Sequence, residues 1–210
     1  MDNKIRLRFS KTDTLRFIGH LDFLKVFTQT IRRSSLPIAY SQGFNPHQII
    51  SFALPLPLGM ESVHDYADIS LTADVPYDEI VEKLNDAAPQ GLHILVAYKP
   101  TGATAAAATT VADYAFTANV TDEAIKKVLD AESIVIPKKT KSGVKNTDIR
   151  SDILDIKKTD SGAILRLSAG SAKFLNPLLV VPLLTDDTPC NSGLSRLELY
   201  QNGEDGIISL

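Results

Sequence analysis

The sequence predicts an α+β protein made of two ferredoxin-like βαββαβ units in tandem, each with its own antiparallel sheet. Three observations carry this expectation. Apolar periods of two and of about 3.6 alternate in the order strand, helix, strand, strand, helix, strand over residues 3–98. The same order returns after residue 111. Between the two copies lies a stretch rich in Ala, Thr and Gly, 100–110, which reads as a linker, with a short helix over its four alanines as the alternative. A chain of 210 residues has room for two small domains, expected at 1–99 and 111–210.

Each element has a local reason. Ile5-Arg6-Leu7-Arg8-Phe9 alternates apolar and basic residues, so a half-buried strand is expected with Arg6 and Arg8 on the face away from the core. Over 19–35 the residues Leu21, Leu24, Phe27 and Ile31 form one helical stripe, and Asp22, Lys25, Gln29, Arg32 and Arg33 form the opposite face. Asp22 in the first turn and the two arginines in the last suit the helix dipole. Strands are expected at 48–53 and 64–71, separated by Leu54-Pro55-Leu56-Pro57-Leu58-Gly59, where the prolines bar a central strand. Pro76 opens a helix that Pro89-Gln90-Gly91 stops, and a strand follows over 92–98. The second copy reads as a strand at 111–120 and a helix at 121–131 capped by Thr121. A short strand at 133–137, a hairpin of 148–157 with 163–168, a helix over 176–184 and a last strand at 194–200 complete it.

Composition narrows the function classes. Cys190 is the single cysteine, so no internal disulfide and no Cys-based zinc or iron–sulfur site is expected, and no cofactor. The N-terminus has no apolar signal core, and the longest apolar-rich stretch, 178–184, is far too short for a bilayer. A cytoplasmic location without membrane contact is the expectation. Net charge is −3, yet residues 1–50 hold eight basic and three acidic residues, net +5, while the remainder stands at −8. Such a basic segment suits an anionic partner, or is a solvated surface.

Several residues could carry chemistry. His20 and Asp22 open the first helix, either as phosphate contact or proton shuttle with its orienting acid, or as a cap and a dipole partner. The loop Tyr40-Ser41-Gln42-Gly43-Phe44-Asn45-Pro46-His47 sets faces for base stacking beside amides that read base edges. Phe44 itself is expected in the core. Lys138, Lys139, Lys141 and Lys145 form a basic hairpin loop for phosphate contact, or a solvated loop tip. Phosphate-loop, dinucleotide and His-Glu zinc motifs are absent from the sequence. Glu61, His64 and Asp65 make a poor metal set, because strand neighbours point to opposite faces.

Arg16-Phe17-Ile18-Gly19-His20-Leu21-Asp22, Ile31-Arg32-Arg33-Ser34-Ser35-Leu36-Pro37, the 40–47 loop and Pro55-Leu56-Pro57-Leu58-Gly59 together resemble the bacterial radical-SAM-linked domain family of unknown function. That family occurs free or at the C-terminal end of B12-binding-type radical SAM proteins. The match is dense over 5–71 and fades after about residue 100. Gly19 stands where the family usually has Ser, and Asp65-Tyr66 where it tends to have Glu-Tyr. The resemblance implies a shared site at Arg16, His20, Asp22 and the 40–47 loop, a radical SAM partner with a B12-binding domain, and RNA or ribosome work. One cysteine cannot supply a radical SAM cluster, so any radical step would belong to that partner.

The leading expectation is a noncatalytic accessory domain that binds or presents folded RNA, tRNA or rRNA. Arg6, Arg8, Arg16, His20, Arg32, Arg33 and the four lysines are its candidate phosphate contacts, and Tyr40, Ser41, Gln42, Asn45 and His47 its candidate readers of unpaired bases. One alternative is a metal-independent RNA endonuclease with His20 as general acid or base and Asp22 beside it. Another is a protein-interaction module that docks the radical SAM protein through the proline-rich 54–58 segment.

Overall fold

The structure is a computed structural model and describes residues 3–140, 143–171, 173–185, 193–203 and 206–210. In the first half, β1 (Asn3–Lys11) leads through a 3-10 turn at Asp13–Phe17 to α1 (His20–Arg33). β2 (Ile50–Phe52), β3 (Glu61–Leu71), α2 (Tyr77–Ala87) and β4 (Leu92–Tyr98) follow. In the second half come α3 (Ala105–Ala108), β5 (Thr109–Thr117), α4 (Asp122–Leu129) and a hairpin of β6 (Val135–Thr140) with β7 (Gly143–Asp148). Then β8 (Ile153–Thr159), β9 (Gly162–Ser168), β10 (Leu194–Gly203) and β11 (Gly206–Ser209) close the list.

The fold is mixed α+β on one large, mostly antiparallel sheet. Its path runs β4-β1-β3-β10-β5-β9-β8, with β2 on β3 and β11 on β10. Two separate sheets were expected. The halves instead join where β10 runs parallel to β3, over only Ser195 beside Glu61 and Arg196 beside Ser62. Nor is 100–110 an open tether. Thr104 caps α3 through the Ala107 N–H, and Ala105 is fully buried. The Ala105 N–H reaches Asp68 Oδ2 at 2.7 Å, fastening the connection to β3.

Two cores lie along the sheet. The first packs Ile5, Leu7 and Phe9 of β1 and Ala67, Ile69 and Leu71 of β3 under Phe23, Phe27 and Ile31 of α1 and Ile80 and Leu84 of α2. The second packs β5, β9 and Leu199 with α4 and takes in Leu56, Met60 and Tyr66. The stripe of α1 is rotated from the expected one: Phe23 replaces Leu21, which is 72% exposed. Aromatic packing decides this, since Phe9, Phe23, Phe27 and Phe52 gather with ring centroids 5.1–6.0 Å apart. Thr121 does cap α4, accepting from the Ala124 N–H at 3.1 Å. The helix expected over 176–184 is two 3-10 turns, Pro177–Leu179 and Val181–Leu183, because Pro182 supplies no N–H for an α-helical turn.

Candidate functional site

A groove of about 440 Å³ runs between α1 and the loop that follows it. Leu24, Thr28, Gln29 and Arg32 form the helix wall, and Tyr40, Pro46, His47, Gln48 and Ile50 the other. The loop wall is a narrow hairpin. Tyr40 and Gln48 pair across it, the Ser41 N–H donates to His47 O at 2.8 Å, and the Ala39 N–H donates to Ser70 O at 2.7 Å, tying the base to β3. Ser41 Oγ accepts the His47 N–H at 3.1 Å and lies 2.8 Å from His47 Nδ1. The hydroxyl has one proton and two lone pairs, so it can serve the amide and Nδ1 together and fixes the orientation of the ring.

Gly43 takes φ +124° at the tip, a value that favours glycine. Beside it Phe44 stands fully in solvent, at 105% relative exposure, against the expectation of a core position. The aromatic cluster of the first core is completed by Phe52 instead. None of the lining residues is acidic, and Arg32 supplies the positive charge. Gln48 is 7% exposed, and its Oε1 is buried without a hydrogen-bond partner among the described residues. An orphaned acceptor in a groove wall is a place for a ligand donor.

The other candidate residues scatter. Arg6 does not face solvent: it is 1% exposed, and its fork grips Asp68 at 2.7 and 3.2 Å while Nη2 also donates to Ala103 O. It cannot hold a phosphate without breaking that pair. Arg8 reaches His64, and Arg16 pairs with Glu61 at 3.2 Å and lies over the Phe17 ring. Arg33 lines a different hollow, with Lys83 and Asp86. Gln42 and Asn45 are exposed beside Phe44. Lys138 and Lys139 lie on β6, and exposed Lys145 pairs opposite Lys138 on β7, so the basic segment is strand as well as loop. Lys141 falls outside the described residues, as does Cys190.

His20 and Asp22 are not assembled as a pair. The His20 ring meets Phe52 edge-on at 5.5 Å, and Asp22 Oδ1 accepts from Lys25 Nζ at 3.0 Å. Nor does His20 cap α1; Gly19 is the N-cap, without a side-chain bond. The 54–58 segment is half packed: Leu56 is buried, and the Leu54 and Pro55 carbonyls accept from Arg196.

Where β10 meets β3 lies a charged centre that the sequence does not announce. Arg196, fully buried on β10, pairs with Asp65 of β3. Burial pushes the Asp65 carboxyl above the ordinary range, opposed by Arg196 and the Tyr66 N–H. Lys11, 1% exposed, donates to Ile18 O at 3.1 Å and sits over the Phe23 ring. Burial lowers its ammonium pKa, with Asp65 opposing. A depressed lysine makes folding release a proton between the lowered value and the ordinary 10.5. The protein should therefore gain stability relative to Lys11→Met as pH rises from neutrality toward that value. Urea titrations of both proteins at the two ends of that window check this; a constant difference would refute it.

Fold and site together define an α+β protein with one broad sheet and a basic, acid-free groove along its first helix. The family model described as "Uncharacterized protein conserved in bacteria (DUF2344)" matches residues 4–177, and the chain belongs to that family. No curated protein matches it. Among the described residues no helix is long and apolar enough to cross a membrane, and no group of three or more His, Cys, Asp or Glu is placed to hold a metal ion.

Proposed function

We propose that the protein binds folded RNA through an unpaired segment laid along the groove between α1 and the 40–48 hairpin, as a noncatalytic domain that presents the RNA to an enzyme. The observation that carries this is the groove itself, which unites Arg32, Tyr40, His47 and the orphaned Gln48 acceptor, in a wall whose hairpin also carries the exposed Phe44. Single-stranded RNA is held by this combination of cation, stacking face and edge-reading amide. The enzyme served would be a radical SAM protein with a B12-binding domain; the dense motif match over 5–71 supports that partner. In each half the four main strands lie in the order fourth, first, third, second: β4-β1-β3-β2 and β10-β5-β9-β8. That order supports reading the fold as two ferredoxin-like units fused edge to edge.

Arg32 and Arg33 separate the groove from general basicity, since they adjoin in sequence but line different hollows. With a tRNA pool titrated between about 50 and 200 mM salt, Arg32→Ala should weaken binding and flatten the logarithmic salt slope by about 0.7, the value for one phosphate contact on a single strand. Arg33→Ala should change both much less. Equal effects from the two variants would point to a diffuse basic surface and overturn the groove.

A further inference from the structure

Four arginines packed against the sheet each meet a carboxylate: Arg6 with Asp68, Arg16 with Glu61, Arg166 with Asp113 and Arg196 with Asp65. Arg8 does not. Across β3 it faces Tyr66, where Arg6 faces Asp68. Its Nη2 instead reaches an imidazole nitrogen, His64 Nε2, at 3.4 Å, and its Nε is buried with no acceptor. The imidazole is fixed from behind. Glu198 Oε2 lies 3.0 Å from His64 Nδ1, and Glu198 Oε1 accepts the Tyr66 hydroxyl at 2.6 Å. A carboxylate at Nδ1 keeps the proton there, so Nε2 offers its lone pair on the Arg8 side.

Strand alternation puts Arg8, His64 and Tyr66 on the face opposite to Leu7, Phe9 and Ala67, which α1 and α2 cover. On that face the α3 connection covers Arg6 and Asp68. The Arg8 end is more open: the His64 side chain is 29% exposed, and Val96, opposite Arg8 on β4, is 43% exposed. A half-buried guanidinium whose nearest partner is a neutral acceptor is short of an anion.

We propose that Arg8 and His64 form a binding site for a phosphate group that keeps an ionisable oxygen, as inorganic phosphate and phosphate monoesters do. The two side chains set complementary demands. Arg8 needs anionic acceptor oxygens, which its fork grips well. His64 Nε2, met by Arg8 only at 3.4 Å, has room for a closer donor, and a monoester near neutral pH still carries a titrating P–O–H, its second pKa being about 6. A phosphodiester has no such proton, and a carboxylate has lost its own. The site stands apart from the groove and does not depend on it.

The test is a titration of the full chain, following the His64 ring by ¹⁵N NMR, with inorganic phosphate, uridine 5′-monophosphate and dimethyl phosphate as probes. The first two should shift the His64 signals saturably, and dimethyl phosphate should not. Tighter binding of the nucleotide would give the source as a nucleic-acid or nucleotide terminus, and tighter binding of inorganic phosphate would give free phosphate. Arg8→Gln should weaken binding on the order of tenfold or more, the loss expected for charge-assisted hydrogen bonds. Arg8→Lys, which keeps the charge and the fold, should fall between, and Arg32→Ala should leave binding unchanged. The proposal is overturned if the His64 signals stay still with all three probes in the unmodified protein. Equal shifts with dimethyl phosphate, or undiminished shifts in Arg8→Gln, would overturn it too.

Discussion

Replacing Arg196 by methionine should cost the fold about 3–5 kcal/mol, the range for removing one member of a buried ion pair. Arg196 is fully buried; it holds Asp65 and also donates to the Leu54 and Pro55 carbonyls. Methionine fills much of the same volume, so the loss comes from the stranded groups rather than from a cavity. The remaining carboxyl keeps only the Tyr66 N–H and the more distant Lys11 against its burial. Its folded pKa therefore climbs further above the unfolded value. A group raised in this way favours the folded state at acid pH and loses that contribution as pH rises through the raised value. The deficit should accordingly grow with pH above the carboxylate range. In a double-mutant cycle, Asp65→Asn with Arg196→Met should cost clearly less than the two single changes added together. Additive losses, or a deficit that shrinks as pH rises, would show that the pair is not the centre of the seam.

Phe44→Ala should leave the unfolding midpoint unchanged and lower affinity for the tRNA pool about tenfold, because stacking of one base on an aromatic face contributes roughly 1–3 kcal/mol. The ring touches solvent all round, so the fold loses no packing with it. Phe44→Leu tells the ligand class. Leucine keeps the apolar bulk but has no flat π face, so a stacked base would be lost nearly as completely as with alanine. A protein pocket would accept leucine with little change. Retained RNA binding in Phe44→Leu would show that no base stacks on the hairpin tip.

Much of the first half was legible because its signals are local. The alternation of Ile5, Leu7 and Phe9, the stop at Pro89-Gln90-Gly91 and the strand over 92–98 each lie within a few residues of their cause, and β1, α2 and β4 follow them closely. What failed depended on partners far along the chain. Arg6 alternates like a surface residue, and its partner Asp68 stands 62 positions away. Leu21 and Phe23 offer α1 two overlapping apolar stripes, and the choice is made by Phe52, on another element. Phe44 was read as core from its type alone, but it stands beside the turn at Gly43, away from the sheet, and is fully exposed. The basic helix and the 40–47 loop were singled out from sequence, and Arg32, Tyr40 and His47 do line one groove. Gln48 carried no signal of its own. Glu198 was hidden in the last long strand, 134 residues from the histidine it orients.

The place of β10 in the sheet orders the birth of the fold. It lies in the middle of the strand path, yet it is among the last strands to be made. While a ribosome is still producing residues 100–190, the first half holds β3 with its Glu61–Ser62 end open to β10 and Asp65 without its guanidinium. The second half has β5 open in the same way. Both edges wait for one segment, and a nascent chain with exposed edges is prone to pair with its neighbours. Closure of the sheet is thus a single late event that couples two sequence-distant halves, a high-contact-order step that slows folding. Slowing of translation before β10 has left the ribosome should lengthen this exposed interval.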